Sequence, residues 1–135
     1  MKKSIKGGFL LNNSNHFDVI YKYEPHYDML GIKITDNYTY NQSVEMIEGV
    51  IVDFDTENKP VAIQIIGGSR LFKIPKAAFS NIRLIDVKIK ITENSISLSL
   101  IIGVYIHNKK LEQSFNSLVA NDSGLPNFEA ELATA

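Results

Sequence analysis

The sequence predicts a mainly β protein of the α+β kind: an antiparallel sheet of about six to eight strands with one amphipathic helix near the C-terminus. Two observations carry this. Apolar and polar residues alternate through most of the chain, the period of strands with one buried face. After residue 110 the period changes, because Leu111, Phe115, Leu118 and Val119 recur at i, i+4, i+7 and i+8, as on the apolar stripe of a helix.

Taken in order, Phe17, Val19, Tyr21 and Tyr23 alternate until Pro25, which stops the strand, and Leu30, Ile32 and Ile34 continue on the return. These two runs read as a hairpin. Ser43 to Glu48 reads as a short strand closed by Gly49. Val50, Val52 and Phe54, then Val61, Ile63 and Ile65, give a second antiparallel pair joined through Thr56 to Pro60. Gly67-Gly68-Ser69 breaks the alternation, and Pro75 is placed to open a single helical turn. The clearest pair follows: Ile85, Val87, Ile89 and Ile91 against Ile96, Leu98, Leu100 and Ile102, with a bend expected at Gly103. Asn108 is the expected cap of the C-terminal helix.

The 135 residues, 44% of them hydrophobic, suffice for one domain with its own core. Residues 1–15 read as a flexible polar N-terminal arm, 16–124 as the β-rich domain, with its second hairpin and helix over 81–121, and 125–135 as a tail with few apolar anchors. With no cysteine, disulfides, thiolate metal cages and cysteine nucleophiles are excluded. A net charge of −1 supplies no field for collecting phosphates, so nucleic acid is not an expected partner. No stretch approaches the ~18 apolar residues of a membrane span and Phe9-Leu10-Leu11 is too short for a signal core, so no membrane association and a cytoplasmic setting are expected.

Asp53, Asp55 and Glu57 stand at alternate positions, like the first ligands of a calcium loop. Asn58 occupies the place of the bending glycine, however, and Gln64 that of the closing bidentate glutamate, while strands replace the flanking helices. An exposed acidic turn, with no metal and no cofactor, is the expectation. His16, His26 and His107 lack metal-ligand spacing, and His26 with Asp28 is what a turn commonly carries. Nucleophile-elbow, phosphate-loop and dinucleotide motifs are absent, so no catalytic residue is assigned. Asp28, Asp53 and Asp55 on the acidic side, with Lys88 and Lys90 on a basic strand face, are the candidate interaction surface. Ile20, Ile51, Ile66 and Ile101 fall at outward positions that water-facing strands leave to polar residues. A homo-oligomer, a dimer in the simplest case, is expected to cover them.

The run Tyr23-Glu-Pro-His-Tyr-Asp-Met-Leu-Gly-Ile32 and the segment Gly49 to Ile66 resemble the two signatures of a prokaryotic domain-of-unknown-function family, number twenty-two eighty-three. The matching positions include Tyr23, Pro25, Asp28, Leu30, Gly49, Asp53, Asp55 and Ile63, within residues 19–67. The resemblance implies a β-rich module and no particular reaction. Some members of that family are encoded beside small toxin-like proteins, which implies an antitoxin-like alternative, neutralising a small basic partner. The leading expectation is a non-enzymatic, self-associating module that binds another macromolecule. A hydrolase using Asp28, Asp53 or Asp55 with His26 is the third reading, and it requires those groups to meet in one cleft.

Overall fold

The computed structural model describes residues 15–47 and 49–134. The predicted N-terminal arm, apart from residue 15, lies outside the described residues. Nine strands form one curled, mixed sheet: β1 (Asn15–Glu24), β2 (Met29–Ile34), β3 (Tyr40–Ile47), β4 (Val50–Asp55), β5 (Pro60–Ile66), β6 (Ile82–Ile91), β7 (Ser95–Ile106), β8 (Lys109–Ala120) and β9 (Phe128–Ala133). Their order across the sheet is β3-β4-β5-β2-β1-β9-β6-β7-β8. A short helix α1 (Gly68–Phe72) and a 3-10 turn (Lys76–Asn81) that follows Pro75 connect β5 to β6.

The expected C-terminal helix is absent, so the α+β class is corrected to nearly all-β. Residues 109–120 instead form β8, the edge strand beside β7. Leu111, Phe115 and Val119 all have odd numbers and pack against the core, whereas Leu118 points outward and is 70% exposed. The helical spacing arose from counting Leu118 with that set while polar Gln113 and Ser117 interrupted the true alternation. An edge strand tolerates such residues because its inward side is only half-covered. Asn108 is no helix cap. With His107 it makes a two-residue turn in which both residues have positive φ, 51° and 65°, the geometry that matches the twist of paired strands.

The count of six to eight antiparallel strands is also corrected, because the segment read as a loose tail contains β9. It pairs parallel with β1, through Phe17 and Leu132, and antiparallel with β6, through Val87 and Leu132. Thus β9 joins a five-strand N-terminal half (β3-β4-β5-β2-β1) to β6, β7 and β8. The bend expected at Gly103 falls on its partner strand, where Arg83 is the extra residue opposite the Val104–Gly103 step.

Alternation places the core on the concave side: Leu30, Ile32, Val52, Ile63 and Ile65 from one half meet Ile85, Val87, Leu98, Leu100 and Ile102 from the other. Phe79 of the 3-10 turn and Phe72 of α1 are buried with them. The curl brings the outermost strands together at one point, where Ser117 Oγ donates to the Met46 carbonyl at 3.3 Å.

Candidate functional site

The core-facing residues of each strand leave the alternate set on the outer face, and the register lines these up in rows. Across the five-strand half one row runs Ile20, Lys33, Ala62, Asp53, Ser43, and the next Lys22, Gly31, Gln64, Ile51, Glu45. Small residues at Gly31 and Ala62 floor a groove of about 470 Å³, walled by Ile20, Tyr38, Asp53 and Gln64. Ile20 is 51% and Ile66 50% exposed on this face, and Ile51 is half-buried.

Asp53 sits at the groove's acidic side and is only 8% exposed. Its carboxylate accepts from Ser43 Oγ at 2.7 Å and from Gln64 Nε2 at 3.0 Å, both on neighbouring strands. Among the described residues it has no ion-pair partner. Burial, and secondarily the Asp53 charge, raise the pKa of the Tyr38 phenol.

The other predicted acidic residues have separate tasks. Asp55 Oδ1 accepts from the N–H groups of Glu57 and Lys59, both at 2.9 Å, which closes the β4–β5 turn and lets Asn58 take φ 64°. Glu57 points to solvent and pairs with Lys59 at 2.8 Å. Asp53, Asp55 and Glu57 therefore do not converge, and among the described residues no three His, Asp or Glu side chains are arranged to hold a metal ion.

Asp28 lies at the opposite end of β5 from Asp55, because Met29 pairs with Ile66 while Asp55 leads into the turn before Pro60. Six steps along the seven-residue strand separate the two ends, roughly 20 Å. Only 5% exposed, Asp28 accepts from Tyr23 Oη at 2.5 Å and from Ser69 N and Oγ at 3.0 and 2.7 Å. Its carbonyl takes the N–H groups of Gly67 and Gly68. Burial works to raise its pKa, but the bonds from Tyr23 and Ser69, with Lys76 nearby, outweigh it and hold the carboxyl below its ordinary value. The same burial and bond push the Tyr23 phenol well up, and its ring stacks on Phe79 at 4.7 Å. His26 is exposed beside Tyr27, away from Asp53. The cleft required by the hydrolase reading is not formed by these groups.

Lys88 and Lys90 occupy the outer face of the other half, along a groove of about 530 Å³ that Leu118 also lines. The register sets Glu131 beside Lys88 and Glu129 beside Lys90, so the basic strand face is interleaved with acids from β9. Next to it is a cluster that sequence reading missed. His16 Nδ1 lies 3.4 Å from Glu131 Oε1, and its Nε2 3.6 Å from Asp18 Oδ1. Burial, then the hydrogen bond to Glu131 and its charge, push the Asp86 pKa up to about 6, while the bond from Asp86 holds Glu131 below its ordinary value. Asp86 Oδ1 is itself buried without a hydrogen-bond partner. No local spacing signals this group, because it forms only when β9 enters between β1 and β6.

These features define a nearly all-β protein whose single sheet presents a charged, partly apolar outer face. Residues 20–69 match the family model described as protein of unknown function (DUF2283), the family resembled over residues 19–67. The match covers β2 to β5, the second half of β1 and the loop that binds Asp28, and residues 15–19 and 70–135 lie beyond it. A protein of Methanosarcina mazei, provisionally named a hypoxanthine phosphoribosyltransferase, is 28% identical over 90 residues, which is 67% of this chain and 72% of the relative. No solved structure matches the chain. No described helix is long and apolar enough to cross a membrane.

Proposed function

We propose that this protein is a non-enzymatic binding module of the cytoplasm that self-associates through the outer face of its sheet and binds another macromolecule with the surface left free. The carrying observation is the half-exposed Ile66 of β5, with the half-buried Ile51 on the adjoining β4 and the half-exposed Ile20 two strands away on β1, all on the outer face of the five-strand half. Large apolar side chains left on a strand face that otherwise meets water are a feature of interaction surfaces. The acidic residues that an enzyme reading would need are instead held singly, Asp28 by Ser69, Asp53 by Ser43 and Gln64, Asp55 by its own turn.

Light scattering at micromolar concentration tests the reading. A mass of two chains or more supports it, and Ile20→Ser with Ile66→Ser shifts the protein toward a single chain. A wild-type protein of single-chain mass under those conditions ends it.

A further inference from the structure

We infer that the outer face of the five-strand half binds the same face of a second copy, about a twofold axis that runs over β5 and parallel to it. This deepens the self-association reading and rests on it. The inference comes from the order β3-β4-β5-β2-β1, in which β5 is central. A twofold axis along β5, midway between two stacked faces, carries β2 over β4 of the second copy and β1 over β3, at unchanged height along the strands. Stacked sheets lie about 10 Å apart with strand directions within about 30° of each other, and because the outer face is the convex one the strands near the axis, β2 over β4, keep this register best.

The rows are self-complementary under that operation. In the first, Lys33 of β2 comes over Asp53 of the second copy, and Ala62 lies on the axis over its own equivalent. Asp53 is only 8% exposed and already bonded to Ser43 and Gln64, so Lys33 of the second copy acts on it as an ammonium near a carboxylate that has no cation of its own among the described residues, without a direct bond. In the second row Lys22 comes over Glu45, both exposed, while Ile51 comes over Gly31. A Cβ on Gly31 would meet only the Lys22 carbonyl, at 3.8 Å, so within one chain this position is an open hole of the kind an isoleucine from the facing copy fills. In the third row Ile66 meets its own equivalent. Across the first two rows Lys22 and Lys33 on the β1–β2 side face Glu45 and Asp53 on the β4–β3 side, although Lys22 also pairs with Glu24 of its own strand at 3.0 Å, and the arrangement is attractive in this orientation and repulsive when β2 is set over β2.

Sedimentation equilibrium of the full chain, with circular dichroism as the check on folding, tests this. Gly31→Val fits the isolated chain and fills the hole, so the protein stays folded and its dimer weakens about tenfold or more. Lys22→Glu sets two acids against each other and weakens the dimer, and adding Glu45→Lys to it restores association, because the reversed charges face each other again. A wild-type dimer indifferent to Gly31→Val and Lys22→Glu, or a double variant no better than Lys22→Glu, overturns this face while leaving self-association standing. A wild-type protein that stays monomeric overturns both.

Discussion

The carboxylate of Asp28 accepts both the backbone N–H and the hydroxyl of Ser69, 41 residues further along the chain, at 3.0 and 2.7 Å. The turn between β1 and β2 is thereby fastened to the segment leaving β5. Asp28→Ala removes the acceptor from Tyr23 and Ser69 together and is expected to cost about 3 kcal/mol of stability, measured by urea denaturation. The pH dependence has a definite sign. Because the folded-state pKa is lowered, the stabilisation is present above the ordinary carboxylate range and is lost as pH falls through the folded value. Asp28→Asn therefore flattens the acid limb of the stability curve.

Asp86 acts in the opposite sense. Its folded-state pKa is raised to about 6, so the stability it contributes is present at low pH and declines as pH rises from its ordinary value of 3.8 through the folded one. Asp86→Asn keeps a donor for Glu131 without the second charge. Thermal denaturation is expected to show stability raised by about 1 kcal/mol at neutral pH and its decline between those two values removed. An unchanged slope would mean that Asp86 does not set this part of the stability curve.

Asp53 and Tyr38 give a spectroscopic test of the groove. Burial is the first cause of the raised Tyr38 pKa and the Asp53 charge the second. Asp53→Asn should bring the phenol only part of the way back in an ultraviolet titration. Asparagine keeps an acceptor oxygen for Ser43, and a half-turn of the Gln64 amide lets its oxygen accept from the new NH2 group, so the fold survives the change.

Strand β8 separates its two faces by substitution. Leu118→Lys is expected to change stability by less than about 0.5 kcal/mol, since the side chain is already 70% exposed. Phe115→Lys puts a charge among Leu100 and its neighbours and should cost several times more. An apolar helix stripe would make the two substitutions comparably damaging.

How much of this was legible in the sequence differs from element to element. β6 and β7 could be read directly, because Ile85 to Ile91 and Ile96 to Ile102 alternate with polar residues at every position but Ile101. β8 was concealed by Gln113 and Ser117 on its inward side and by Leu118 on its outward side. β9 was concealed by its length and by the small Ala130, whose burial depends on strands far away in the chain. Turn chemistry identified Asp55 from its neighbours, but the partner of Asp28 lies across the fold, and no spacing points to Ser69. The outward isoleucines were visible as exceptions to alternation. The opposition of Lys22 and Lys33 to Glu45 and Asp53 emerges only from the strand order.

Leu132 is wholly buried in β9, and Leu132→Ala should cost about 2–5 kcal/mol. Amides of Phe128 to Ala133 should resist hydrogen exchange as strongly as those of β6, whereas a frayed tail would exchange at once.

The position of β9 also has a bearing on biosynthesis. Each half can pair its own strands as soon as they leave the ribosome, yet β1 and β6 keep unsatisfied edges until residues 128–133 emerge and slide between them. Closure is thus a late, long-range event, and during that interval the gap is open to a strand of matching sequence from a neighbouring nascent chain. Crowded polysomes are where exchange of this strand between copies should be sought first.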